Sequence, residues 1–339
     1  MPTIIRKLVT QPPTLQLNVA IIGLGHQAVE EHLPAVLASD NYRLVALCDV
    51  DEQKLIPLRQ KYGSSIGYHN DVEKMLQSCQ LDLVIVAVPH HQYGPIIRAC
   101  ASYKVHILKE KPFARNMEEA LRFHEDAKKG DIHLMTTFQR RFHPLYQAFV
   151  PMLSLIGNIH TITSLYAISS SSPNNGWRSN SEMAGGGVML DMGYHVLDLL
   201  IWYMDKPTIL SSIMQITKRS DYDVEDVAQF TFEVNGAYGS ALISCVHPKK
   251  HEELVFIGEK GSAVLTRDRI ERYNNGQQLV DYLESARGWT TAMINQLDYF
   301  AAVISGDIEP KYSTPEFQIQ NHVVVMDELY NQARGKHYD

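Results

Sequence analysis

The sequence predicts an α/β chain: a doubly wound parallel sheet in the N-terminal half, followed by a region of helices and strands better suited to an antiparallel sheet. Two observations carry this. Short β-branched apolar runs alternate with helix-length segments from Leu17 onward, the pattern of strand, crossover helix and parallel strand. Further along, that rhythm gives way to alternation at period two, the mark of strands buried on one face. A length of 339 residues suits two such units, since domains commonly run to about 100–200 residues.

The elements follow in order. Leu17 to Gly23 reads L-N-V-A-I-I-G, a strand buried on both faces and ended by a turn. Similar runs recur at Tyr42 to Cys48, Leu81 to Val88 and Val105 to Leu108, with helices expected at Asp51 to Tyr62 and Gln92 to Ser102. A helix at Met117 to Lys129, an apolar run at Ile132 to Thr136 and a helix near Pro144 to Leu155 come next. Period-two strands are expected at Val227 to Val234 and Ser240 to Val246, with a G-E-K-G turn at Gly258 to Gly261. Helices close the chain from about Thr290 to Ser305 and Thr314 to Ala333. The expected division is an N-terminal extension over 1–16, a first domain over 17–138 and a second domain over 139–339.

Composition excludes several classes of function. Lys and Arg total 31 against 38 Asp and Glu, a net charge of −7, so no broad basic surface is available to neutralise nucleic-acid phosphates. Cys48, Cys79, Cys100 and Cys245 show no C-x-x-C spacing, which argues against a disulfide framework or structural zinc and fits reduced thiols in the cytoplasm. The N-terminus lacks a long apolar core and no 18-residue apolar stretch occurs, so neither a signal peptide nor a membrane span is expected.

Gly23-Leu24-Gly25-His26-Gln27-Ala28 follows the first strand and opens a helix, the context in which G-x-G-x-x-G/A binds a dinucleotide. Gly23 permits the turn, Gly25 lets backbone approach a pyrophosphate, and Ala28 allows close helix packing. Asp49 ends the second strand, where a carboxylate accepts bonds from the adenosine ribose and repels a 2′-phosphate. NAD is therefore favoured over NADP, while Asp49 or Asp51 also suits the cap of the following helix.

In Gly185 to Tyr203, an almost wholly apolar stretch, Asp191, His195 and Asp198 stand at i, i+4 and i+7, on one face of an α-helix. A histidine flanked by carboxylates suits proton transfer to or from a hydroxyl. The same stripe also suits a satisfied polar network that fixes packing. Asp, His and Asp are possible metal ligands, but no second cluster completes a shell, and no metal is expected. Glu110-Lys111-Pro112 follows the strand ending at Leu108, at the sheet edge where such folds bind ligands. Lys111 there either stabilises a developing alkoxide or is a surface lysine.

Taken in order, these motifs resemble the glucose-fructose oxidoreductase / inositol dehydrogenase (Gfo/Idh/MocA) family: G-L-G-H-Q-A, C-D-V-D at 48–51, I-L-K-E-K-P-F at 107–113, F-Q-R-R-F-H-P at 138–144, G-W-R at 176–178, G-G-G-V-M-L-D-M-G-Y-H-V-L-D at 185–198, and G-E-K-G-S. The resemblance implies an N-terminal Rossmann domain joined to a C-terminal α+β domain whose open, mostly antiparallel sheet often mediates oligomerisation, here a homodimer or homotetramer. It also implies a catalytic set of Lys111, Asp191 and His195, with Asp198 supporting the helix or His195. The chain departs from the family where V-P-H-H-Q-Y at 88–93 replaces T-P-N-x-x-H. Pro89 and His90 are candidates for the nicotinamide side, together with Glu110 and Lys111, though His90 and His91 also read as solvated loop residues. Lys109, where relatives carry a small or apolar residue, either adds charge to the cleft or points away.

Trp177 and Arg178, in a Ser/Pro/Asn/Gly-rich loop, either grip a polyhydroxylated substrate or pack the loop itself. Arg140 and Arg141 either flank that site or form structural ion pairs, and Arg141 is taken as substrate-binding. The expected activity is NAD-dependent oxidation of a secondary alcohol of a sugar, sugar derivative or cyclitol, or the reverse. The alternatives are a redox-neutral glycosidase using NAD transiently and a non-catalytic NAD-binding sensor or repressor.

Overall fold

The structure is a computed structural model that describes residues 16–169, 176–217, 221–285 and 288–334. The expectations for the N-terminal extension and leader, apart from residue 16, lie outside the described residues. The chain divides into two units.

The first unit takes in the described residues up to Phe113, Glu118–Gln139 and Trp289–Gln318. Its sheet contains β1 (Leu17–Ile22), β2 (Tyr42–Cys48), β3 (Gly67–His69), β4 (Leu83–Val86), β5 (His106–Lys109) and β6 (Leu134–Thr136). All pairings are parallel and the order is β3-β2-β1-β4-β5-β6, so the strand order reverses between β1 and β4, the place where doubly wound sheets bind ligands. Val19, Ala20, Ile21 and Leu83 through Val86 are buried on both faces, which is why these strands read as unbroken apolar runs. Asp51 caps helix Glu52–Tyr62 by accepting the Gln53 N–H, and Asp71 caps helix Val72–Ser78 by accepting the Lys74 N–H.

The chain returns to this unit late. Helix Trp289–Ile304 is tied to it by the Tyr42 hydroxyl, which donates to Leu297 O at 2.6 Å, and by Asn41 Nδ2, which donates to Asp298 Oδ1 at 2.7 Å. Gln296 Oε1 accepts the Phe138 N–H at 2.6 Å. The sequence-based division placed all of 139–339 in the second domain. The structure corrects this for Trp289–Gln318, because an apolar helical stripe says that a helix is buried but not against which sheet.

The second unit contains Ala114–Met117 and the described residues of Arg140–Gly288 and from Ile319 onward. Its strands are β7 (Ile159–Ser169), β8 (Thr208–Gln215), β9 (Val227–Val234), β10 (Ala237–Ser244), β11 (Val246–Gly258), β12 (Gly261–Thr266), β13 (Arg269–Asn274) and β14 (Leu279–Glu284). The order is β14-β13-β12-β11-β7-β10-β9-β8, antiparallel throughout except for β7 with β10. Asn235 and Gly236, both at positive φ, make the tight β9–β10 hairpin. One face of the sheet buries Phe230, Ile243 and Phe256. The other carries Ile213 and Leu242, joined through Gln229 in a single cross-strand row, with Tyr238 and Ile257 joined through Thr161 in another. All four of these apolar side chains are exposed.

Candidate active site

At the end of β1, Gly23 adopts a left-handed φ of +86° and donates its N–H to Cys48 O at 2.8 Å. A Cβ there would collide with Ala87 O, so the turn requires glycine. A Cβ at Gly25, by contrast, would meet nothing within 4 Å. The loop is therefore open at the position where the motif needs close backbone approach. Helix 26–38 follows and includes a π turn over Ala28–His32, to which Gln27 offers no side-chain cap. Open space over glycine beside a helix start suits a dinucleotide phosphate.

Asp49 is buried, and its carboxylate is already engaged. Oδ2 accepts the Leu24 N–H at 2.7 Å and pairs with Lys54 Nζ at 3.0 Å, while Oδ1 accepts the Asp51 N–H at 2.9 Å. It ties the glycine turn to the end of β2, leaving the helix cap to Asp51. Lys54 was not anticipated from sequence.

Pro89 leads into the short 3₁₀ turn His90–Gln92. His90 is buried and stacks on Tyr93 with ring centres 5.9 Å apart, so it is not a solvated loop residue. Glu110 pairs with His32 Nε2 at 2.8 Å. Burial pushes the Glu110 carboxyl up, but the hydrogen bond and charge of His32, with the charge of Lys111, outweigh it and hold the group below the ordinary range. Sequence reading missed His32, whose only signal is a histidine on the helix after the glycine turn. Lys111 lies just past β5, half-buried, ahead of a cis bond to Pro112. Lys109 does not point to solvent: it is fully buried.

In the second unit, Gly187 comes just before the helical segment that opens at Val188, against Glu225 in the stretch leading to β9. A Cβ on it would collide with Glu225 O, which instead accepts the Val188 N–H at 2.9 Å. Glu225 Oε1 takes the Met189 N–H at 3.1 Å and the Tyr330 hydroxyl at 2.7 Å, and so serves as a borrowed cap for the helix start. Burial pushes its carboxyl up despite these bonds. Glu225 and Tyr330 had no sequence signal, because their partners are remote along the chain.

Asp191 lies in a π turn, Met189–Gly193, and His195 is the second residue of the α-helical part, Tyr194–Tyr203. Both are half-buried. The expected stripe divides: Asp198 is buried, away from solvent, and binds Arg141 and His322. His195 and Asp198 are three residues apart within the regular α-helix, a rotation about 60° short of a full turn, which carries Asp198 to the core side while His195 stays at its margin. Arg141, read as substrate-binding, is itself buried and engaged by Asp198. Its neighbour Arg140 pairs with Glu252 at 2.7 Å. Both arginines form buried ion pairs. Trp177 and Arg178 lie together on the 3₁₀ turn Gly176–Ser179, the guanidinium 4.4 Å from the ring centre. Among the described residues, no group of three or more His, Cys, Asp or Glu is placed to hold a metal, and no helix is long and apolar enough to cross a membrane.

Comparison with known proteins adds to this geometry. Residues 17–138 match the model for the oxidoreductase family with an NAD-binding Rossmann fold, and residues 154–264 match the GFO/IDH/MocA C-terminal domain. The chain is 27% identical to D-glucoside 3-dehydrogenase of Escherichia coli (strain K12) over 77% of its own length and 80% of that protein's. It is also 27% identical to myo-inositol 2-dehydrogenase of Thermotoga maritima, over 56% of this chain and 55% of that one. Among solved structures, aldose-aldose oxidoreductase from Caulobacter crescentus complexed with glycerol superposes with a TM-score of 0.83 at 20% identity, covering 95% of this chain and 98% of that chain. Levoglucosan dehydrogenase in complex with NADH and levoglucosan gives 0.82 at 20%, with the same coverage.

Proposed function

The chain belongs to the GFO/IDH/MocA oxidoreductase family, with an NAD-binding Rossmann domain, and from that premise we propose that it moves a hydride between NAD and a secondary alcohol or ketone of a sugar, sugar derivative or cyclitol. The observation that carries this reading is the division of the ionisable stripe: Asp198 is used internally, whereas Asp191 and His195 remain half-buried on a segment whose residues from Val188 to Ile201 are otherwise buried. Buried surroundings rarely retain two such groups without a task for them.

Gly23, Gly25, His26, Gln27, Ala28 and Asp49 form the cofactor end, with Pro89, His90 and Glu110 beyond the next strands. When bound, NAD supplies the hydride acceptor. The protein handles the proton and the charge. In the oxidative direction His195 takes the hydroxyl proton, Asp191 orients the imidazole and stabilises its cation, and Lys111 lowers the alcohol's pKa by stabilising the alkoxide. Trp177 and Arg178 grip the polyhydroxylated substrate. Arg141 acts from behind, through Asp198 and the helix, in place of the contact expected from sequence. The exposed rows with Ile213, Leu242, Tyr238 and Ile257 are the surface we assign to a homo-oligomer contact. The four cysteines are free thiols and suit a reducing cytoplasm.

The test is a panel of sugars and cyclitols offered with NAD or NADP, followed by absorbance of the reduced cofactor. Lys111→Ala and His195→Ala should each lower turnover by about 10²-fold or more while NAD affinity changes little. Full turnover in both variants refutes the assignment, and glycoside cleavage without net NADH points to a redox-neutral hydrolase instead.

A further inference from the structure

Lys109 closes β5, one residue before Glu110, and none of its surface is exposed. An ammonium removed from water needs close partners. Its Nζ donates to the Glu110 carbonyl at 2.8 Å and to the Pro112 carbonyl at 2.5 Å. It also lies 3.8 Å from the centre of the Tyr93 ring, a favourable face for a cation. The two carbonyls it binds belong to the residues on either side of Lys111. Tyr93 turns its hydroxyl to the carbonyl of Lys111 itself, at 3.5 Å. The main chain is thus held at three consecutive carbonyls around the residue whose amine the reaction uses.

We propose that Lys109 is a positioning residue for Lys111: it clamps the Glu110–Pro112 backbone so that the Lys111 amine is presented in one orientation. This rests on the role given to Lys111 above. An apolar side chain of similar length would leave the Glu110 and Pro112 carbonyls without their donor. Burial lowers the pKa of Lys109 strongly, with Glu110 and Glu119 opposing. A neutral amine still carries two N–H donors for the two carbonyls, so the clamp holds in either protonation state.

The experiment compares full-length wild type, Lys109→Met, Lys109→Gln, Lys111→Ala and the double variant K109M/K111A. Turnover, KM and NAD affinity are measured together with the rate at which acetic anhydride labels the Lys111 amine, read by mass spectrometry without turnover. Lys109→Met should lower kcat by about tenfold or more with KM and NAD affinity within about threefold, and Lys109→Gln, which keeps two donors, should lie between it and wild type. Labelling of Lys111 should change by about threefold or more in K109M, and K109M should lower the residual rate of K111A by less than about twofold. Wild-type kcat and labelling in K109M, or a full further loss in the K111A background, overturns the proposal. If K111A keeps full turnover while K109M still alters Lys111 labelling, the reaction assignment fails and the clamp stands. Should K109M not fold, Tyr93→Phe replaces it, and unchanged Lys111 labelling in that variant overturns the clamp.

Discussion

Arg141 forks onto Asp198, with Nε at 2.9 Å and Nη2 at 2.8 Å from Oδ1, and both side chains are almost wholly withdrawn from solvent. His322 completes the group, its Nε2 3.0 Å from the same oxygen. Burial pushes the His322 pKa down, with Asp198 pulling the other way, so near neutral pH the ring is uncharged and donates Nε2–H to the carboxylate. The group joins the helix carrying His195 to helix Gln139–Phe142 and to the π turn Ile319–Val323.

Asp198→Asn should therefore destabilise the protein by about 3–5 kcal/mol, since it leaves a buried guanidinium without its counter-charge. Burial raises the Asp198 carboxyl, but Arg141 and His322 bring it below its ordinary value. Its contribution is complete above the unfolded carboxylate value of about 3.9 and is lost as pH falls from there through the folded value. Urea midpoints from neutral to acid pH should show a steeper acid decline in wild type than in Asp198→Asn. Parallel curves would remove the ion pair from the account.

Gly25 and Gly187 should respond oppositely to alanine. At Gly25 the added Cβ enters open space, so the melting temperature should hold while NAD affinity falls by about tenfold, equivalent to roughly 1.4 kcal/mol. At Gly187 the Cβ strikes the Glu225 carbonyl, and about 1–3 kcal/mol of stability should be lost through overpacking. Calorimetry of NAD binding beside thermal melts separates the two. A G25A protein that binds NAD normally would show that the turn does not face the cofactor.

Glu225 offers a third check. Glu225→Gln keeps an acceptor for Met189 N–H and the Tyr330 hydroxyl and should be tolerated, whereas Glu225→Leu orphans both donors at about 1–3 kcal/mol each. The folded carboxyl is raised by burial, so wild-type stability should fall as pH rises from its unfolded value through its folded one. Glu225→Gln should lack that decline. Chemical denaturation between mildly acidic and neutral pH measures it, and identical slopes would argue against a raised carboxyl.

The parts legible in the sequence were those encoded locally. β1 and β4 announce themselves as apolar runs because both faces are covered over most of their length, and β2 because its last three residues are buried; Gly23 and Gly25 are recognisable from the turn between strand and helix. β3, with three half-buried residues, and β14, mostly exposed, carry no such pattern and were not anticipated. Helical spacing placed Asp191, His195 and Asp198 along one stripe, but it does not say that Arg141 and His322 take up Asp198 alone. His32, Glu225 and His322 escaped notice because each meets a partner 36 or more residues away. Lys109 was visible as a departure, but only its burial shows which way it points.

The late return of Trp289–Gln318 has a consequence for biosynthesis. Tyr42 emerges from the ribosome early, yet its partner Leu297 is not made until most of the chain has been translated, so the nucleotide-binding half waits, unfinished, for nearly the whole message to be read. A gene fragment stopping near codon 138 would yield a nucleus lacking its flanking helix, and cassette exchange of this half between homologues demands two cuts rather than one.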